Sequence, residues 1–228
     1  MLPFLAGGLV VATVVWLLSD DEDEKPTTGS SSSSTKKTIL EKNFFNLHQQ
    51  LAKNENEKKV VILGQPGAGK SSLLLNITDN KCTPKPTVGV HTDATRWHDS
   101  RKDDFFHRHG KVIYVDSPGY DTKSHPVKSY INHFPFSSFD IIIFVISGKI
   151  HNSDQKIIEK IRKINNLSRS TKLIIVRNFK ENLNEQDKND VESDMKKHFQ
   201  SKAEKLDFIF SSNRTSEGIE TIKKLVNM

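Results

Sequence analysis

Cysteine is nearly missing from this chain: Cys82 is the single one among 228 residues. No internal disulfide can form and no zinc site can be built on cysteines, which fits a reducing compartment. Lysine and arginine are missing from the first 18 positions, and no clear small-x-small cleavage site precedes the acidic run Asp20-Asp21-Glu22-Asp23-Glu24. Both absences argue against a secretory signal. Leu2, not glycine, follows the initiator methionine, so N-myristoylation is excluded. There is no internal repeat and no basic stripe interleaved with aromatics. The net charge of +6 therefore reads as a solvated basic surface, and no nucleic-acid partner is expected.

What is present begins with an apolar run from Met1 to Leu18. As a helix it would reach about 27 Å, enough for a thin bilayer. The expectation is a transmembrane anchor over 1–18, making this a single-pass membrane protein. Lys25, Lys36 and Lys37 favour the body on the cytosolic side. Residues 19–38, with Pro26, Gly29 and Ser30–Ser34, read as an acidic and serine-rich linker. Residues 39–54 read as an amphipathic helix, because Leu40, Phe44, Leu47 and Leu51 recur at helical steps. That stripe is expected to pack on the domain that follows, with His48 beside it on the surface.

Residues 55–228 then alternate strand and helix signals, which predicts an α/β domain: a doubly wound, mostly parallel sheet with helices on both faces. Strands are expected at 59–63, 111–115, 140–146, 172–176 and 207–210, and helices at 72–77, 153–163 and 217–226. Between the first strand and helix, Gly64-Gln65-Pro66-Gly67-Ala68-Gly69-Lys70-Ser71 fits the phosphate-cradling pattern G-x-x-x-x-G-K-[ST] at every specified position. Its glycines let backbone N–H groups approach a β-phosphate, Lys70 supplies a point charge, and Ser71 is placed to ligate Mg²⁺. Ser72 continues the loop into the helix. Ligands in such sheets gather at the carboxyl ends of the strands. There Asp116-x-x-Gly119 offers a carboxylate for Mg²⁺ and a glycine N–H for a γ-phosphate.

Between these motifs lies Pro84-Lys85-Pro86-Thr87-Val88-Gly89-Val90. Thr87 is taken as the threonine for Mg²⁺ and γ-phosphate, because T-V-G-V resembles the corresponding loop of Ras-like GTPases; Thr83 and Thr92 are its rivals. His91, His98, His107 and His109 match no zinc spacing, and their polar segment reads as solvent-exposed.

The order and spacing of Gly64–Ser72, Thr87–Thr95, Asp116–Tyr120 and Phe139–Asp154 resemble the immunity-related GTPases, within the translation-factor class of P-loop GTPases. Asp116–Thr122 and Asp154-Gln155-Lys156 also resemble the immune-associated, avirulence-induced GTPases. The resemblance spans roughly 58–228. It implies GTP/GDP and Mg²⁺ as cofactors, hydrolysis of GTP to GDP, and assembly on membranes, with a GTP-dependent homodimer as partner. It also implies a further helical domain, for which the chain leaves little length after its last helix.

The resemblance places base recognition at Asn178-Phe179-Lys180-Glu181, where Glu181 stands for the usual aspartate and Phe179 for a lysine stem. Ser211-Ser212-Asn213 falls where a backbone N–H meets the guanine carbonyl. Catalysis would rest on Lys70, Thr87 and Gly119. Tyr120 occupies the place of the water-orienting glutamine, and Gly67 that of the asparagine in potassium-activated relatives. Slow turnover, raised by self-association or a partner, is therefore expected, with Arg96, Arg101 and Arg108 weighed as charges given in trans. The alternative is a nucleotide-binding scaffold with little hydrolysis.

Overall fold

A computed structural model describes residues 37–89, 95–167, 171–199 and 206–227. The expected anchor at 1–18, most of the linker at 19–38, and Thr92 lie outside the described residues. Among those described, no helix is long and apolar enough to cross a membrane.

Helix α1 (Ile39–Lys53) starts at a reciprocal cap: Thr38 Oγ1 accepts from the Glu41 amide, and Glu41 Oε2 accepts from the Thr38 amide. Such a cap contributes about 1 kcal/mol. The stripe read from the sequence is buried, with Phe44 edge-on to Tyr130 and Phe134. His48 is exposed and bonds Ser138 Oγ at 2.9 Å.

Among the described residues the other strands and α-helices are β1 (Lys58–Gly64), α2 (Lys70–Ile77), β2 (Phe106–His109), β3 (Val112–Asp116), α3 (Val127–His133), β4 (Ile141–Ile146), α4 (Asn152–Leu167), β5 (Lys172–Arg177), α5 (Glu185–Phe199), β6 (Asp207–Phe210) and α6 (Ile219–Asn227). They build one six-stranded sheet in the order β2-β3-β1-β4-β5-β6. Every pairing is parallel except β2 with β3, an antiparallel edge hairpin. Side chains of a strand alternate between faces, so each strand serves two cores. Val60 and Ile62 pack with Leu73, Leu74, Ile219 and Ile222 from α2 and α6. Val61 and Leu63 pack on the other face with residues of α1, α3, α4 and α5. β4 is buried along its whole length, as an unbroken apolar run requires.

Three elements escaped the sequence reading. β2 is four residues long and mostly polar, α3 is seven residues, and α5 buries only Met195 and Phe199 fully. The segment preceding β2 is also less exposed than its polarity suggests, since Trp97 and Phe105 are 1% and 3% exposed. Trp97 sits edge-on to Phe44 and Phe105, so the aromatics outweigh the polar majority around them.

Candidate functional site

Register brings the sequence motifs to one edge. Ile62 pairs with Asp116 and Gly64 with Val145, so β1, β3 and β4 end together where the loop between β1 and α2 begins. Gly69 precedes α2 with φ of +84°, and a Cβ there would lie 2.3 Å from Asn178 Nδ2 and 2.8 Å from Asn213 Nδ2. Only glycine leaves room for those two amides. Asn178 donates to the Ala68 carbonyl at 2.9 Å and Asn213 to that of Gly69 at 3.1 Å, so both hold the loop's backbone. Gly119 packs equally closely on the loop, since a Cβ on it would meet Pro66 N at 2.4 Å.

Lys70 is 8% exposed and its Nζ donates to the Gln65 carbonyl at 3.0 Å, so it folds back across its own loop. Ser71 and Ser72 follow in the first turn of α2, and the Ser71 hydroxyl donates to Asp116 Oδ2 at 2.6 Å. Asp116 is 4% exposed, and its Oδ1 is buried with no hydrogen-bond partner. Burial raises its carboxyl above the ordinary aspartate value, against the pull of Lys70 and the Ser71 bond. A buried carboxylate with one unpartnered oxygen, beside a hydroxyl, fits a divalent cation with oxygen ligands. Ser71 and Asp116 would hold it.

The sign of that shift gives a test. Between the ordinary aspartate value and the raised one, folded chains bind more protons than unfolded ones, so stability falls as pH rises through that window. At neutral pH without metal or nucleotide, Asp116→Asn is expected to melt higher, by about 2–4 °C for each kcal/mol regained. Adding Mg²⁺ with nucleotide should raise the parent's melting temperature and not that of the variant. Equal gains in thermal scans of both would contradict the assignment.

Thr87 is exposed, whereas Thr95 Oγ1 lies 3.5 Å from Asp116 Oδ2. Thr95 was the last residue of the TVGVHTDAT stretch, but nothing in its local pattern set it above Thr87. The other end of the loop carries the base-recognition candidates. Phe179 adopts a left-handed conformation with φ of +59°, rare for an aromatic residue, and its ring edge approaches Gly69. Glu181 is held below the usual glutamate range, first by a hydrogen bond from Ser212 and further by Arg214, whose Nε lies 4.0 Å away. Asn178, Phe179 and Asn213 thus meet around the far side of Gly69, with Glu181 three residues beyond Asn178 and Ser212 next to Asn213 in the chain.

Tyr120 is fully buried, and its hydroxyl donates to Asp154 Oδ1 at 2.6 Å. The same oxygen accepts from Gln65 Nε2 at 3.1 Å, which ties the phosphate loop to the first turn of α4. Burial, and then Asp154, push the phenol well above its ordinary range, so it stays protonated. The sequence reading counts Gln65 among the nucleotide-binding residues of the loop and does not anticipate this Gln65–Asp154–Tyr120 connection. Among the described residues, no group of three or more His, Cys, Asp or Glu side chains is arranged to hold a metal. His98 and His125 bond each other at 3.1 Å, and His107 bonds the Pro84 carbonyl at 2.6 Å.

A family model described as 50S ribosome-binding GTPase matches residues 59–179, just over half of the chain. Among curated proteins, none matches the sequence. Of solved structures, an Era variant from Aquifex aeolicus bound to GDP.AlF4⁻ is 20% identical with a TM-score of 0.52, over 75% of this chain and 56% of that one. Bacterial selenocysteine-specific elongation factor EF-Sec is 16% identical with a TM-score of 0.51, over 75% of this chain and 28% of that one. A probable GTP-binding protein engB is 16% identical with a TM-score of 0.51, over 74% of this chain and 96% of that one. The chain thus spans little more than a quarter of the elongation factor and just over half of Era. These likenesses establish a P-loop GTPase fold of the translation-factor, Era and EngB class. None of them points specifically to the immunity-related GTPases.

Proposed function

We propose, from a chain that belongs to the 50S ribosome-binding GTPase family, a membrane-tethered guanine-nucleotide switch that hydrolyses GTP slowly. The observation that carries this reading is the convergence on one loop of two chemistries. Lys70, Ser71 and the half-satisfied Asp116 lie on its phosphate side, and Asn178, three residues before Glu181, bonds the loop's Ala68 carbonyl on the side proposed for the base.

Backbone N–H groups of Gly64–Ser72 would take the phosphates, with Lys70 turning from the Gln65 carbonyl to β- and γ-oxygens. Mg²⁺ at Ser71 and Asp116 would supply charge that polarises those oxygens. Glu181 would accept from the guanine N1–H and amino group, which adenine does not offer; Ser212 and Asn213 would border the same base. Gly119 would turn its N–H to the γ-phosphate end. Thr95 already reaches Asp116, while Thr87 would serve there only after the Pro84–Gly89 segment rearranges.

Tyr120 favours slow turnover. Its hydroxyl is committed to Asp154 inside the core and cannot orient a water as an amide would. The same observation supports the second reading, a scaffold that binds GTP with little hydrolysis. Single-turnover GTP hydrolysis by the purified chain separates the two. The expected rate is below about 0.01 s⁻¹, the scale of an unassisted GTPase. Tight GTP binding with no detectable product would select the scaffold, and turnover of about 1 s⁻¹ or faster would refute slow intrinsic catalysis.

Residues 1–18 we assign as the membrane anchor, with the nucleotide domain on the cytosolic side and GTP-dependent self-association as the stimulus for hydrolysis. Removing residues 1–18 should shift the protein from the membrane pellet to the supernatant; continued sedimentation with membranes would overturn the anchor.

A further inference from the structure

Helix α1 lies outside the stretch that the family model matches, yet it holds the backbone that leads into the site. We propose that Asn43 is a positioning residue of the nucleotide site. Through the backbone of Trp97–Lys102 it sets where Thr95 meets Asp116, and so it favours the GTP-bound form over the GDP-bound form. This rests on the guanine-nucleotide reading above.

Asn43 stands on the apolar side of α1 and is fully buried. A buried amide is costly unless its groups are bonded, and here three of them are. Nδ2 donates to the Trp97 carbonyl at 2.7 Å and to the Ser100 carbonyl at 2.8 Å, while Oδ1 accepts from the Lys102 amide at 2.9 Å. Asn46 and Gln50, three and seven positions on and so along the same flank, donate to the carbonyls of Lys102 at 2.6 Å and Asp103 at 2.8 Å. Every one of these bonds goes to main chain. They fix a path and leave side-chain identity free.

Thr95 lies two residues before Trp97. Chain reach is at most about 3.6 Å per residue, so pinning Trp97 confines Thr95 to roughly 7 Å around it. Trp97 is itself wedged between Phe44 and Phe105. The Thr95 hydroxyl then lies beside the same Asp116 oxygen that Ser71 bonds. A γ-phosphate gives that end of the site a partner which GDP lacks, so loosening the tether costs the GTP-bound form more.

The test uses the full chain carrying Trp16→Phe, which leaves Trp97 as its only tryptophan. Dissociation constants are measured for GDP and for a non-hydrolysable GTP analogue, alongside Trp97 emission. Asn43→Asp keeps the shape but turns an acceptor toward two carbonyls. It should weaken the analogue about tenfold, as for one buried group left unsatisfied, and GDP by less than about twofold. The change in Trp97 emission on exchanging GDP for the analogue should shrink with it. If Asn43→Asp does not fold, the half-buried Asn46→Ala decides by the same split, with a loss of about threefold confined to the analogue. Equal weakening of both nucleotides, or none, overturns the inference. A parent chain that binds neither nucleotide overturns the underlying reading, and this inference with it.

Discussion

Replacing Lys70 by alanine is expected to weaken GTP and GDP binding by about 100-fold or more, the scale of one or two lost charge-assisted hydrogen bonds. The ammonium is buried and donates to the Gln65 carbonyl of its own loop, so it is poised over the cradle before any phosphate arrives. The fold should survive, because α2 begins after Gly69 whatever the side chain at its first position, and Leu73, Leu74 and Ile77 anchor it to the sheet. Titration calorimetry with far-ultraviolet circular dichroism checks both halves. Nucleotide binding within about fivefold of the parent would show that this loop does not cradle the phosphates.

Gly64→Ala should instead attack the fold. A Cβ at Gly64 would stand 2.4 Å from the Val145 carbonyl oxygen, in the pairing between the two central strands. Neither strand has room to move, since β1 and β4 are held by parallel neighbours on both sides. Overpacking of this kind costs about 1–3 kcal/mol, and the forced shift of backbone adds a similar amount. The expected loss of about 3–5 kcal/mol lowers the melting temperature on the order of 10 °C. Nucleotide binding at low temperature should fall too, because the same residue opens the phosphate loop. A melting temperature within about 2 °C of the parent would contradict the close approach of these strands.

Much of this site could be read from local chemistry. Gly64, Gly69 and Gly119 stand where main chain or side-chain amides crowd the backbone, so glycine there is demanded by geometry. Lys70, Ser71 and Asp116 follow from the same short motifs, and their meeting follows from parallel strands ending at one edge. The apolar run of β4 announced a strand buried on both faces. What stayed hidden depends on contacts distant in sequence. Thr95 reaches Asp116 because Trp97 and its neighbours are pinned by α1, more than 40 positions earlier; a local comparison of threonines favoured Thr87. Asn43 reads as a polar residue beside an apolar stripe, and nothing nearby in sequence says that its amide faces main chain. α5 was missed because its polar surface dilutes the few apolar positions, and β2 because four residues carry too little alternation.

One loop would bind the phosphates, held by Asn178, while Glu181 selects guanine. Competition of GTP and ATP against a fluorescent GDP bound to the purified chain, repeated with Glu181→Ala, tests it directly. The account predicts displacement by GTP at micromolar concentrations, no displacement by ATP at a hundredfold excess, and loss of that preference in the variant. Equal displacement of GDP by ATP and GTP in the parent would contradict it.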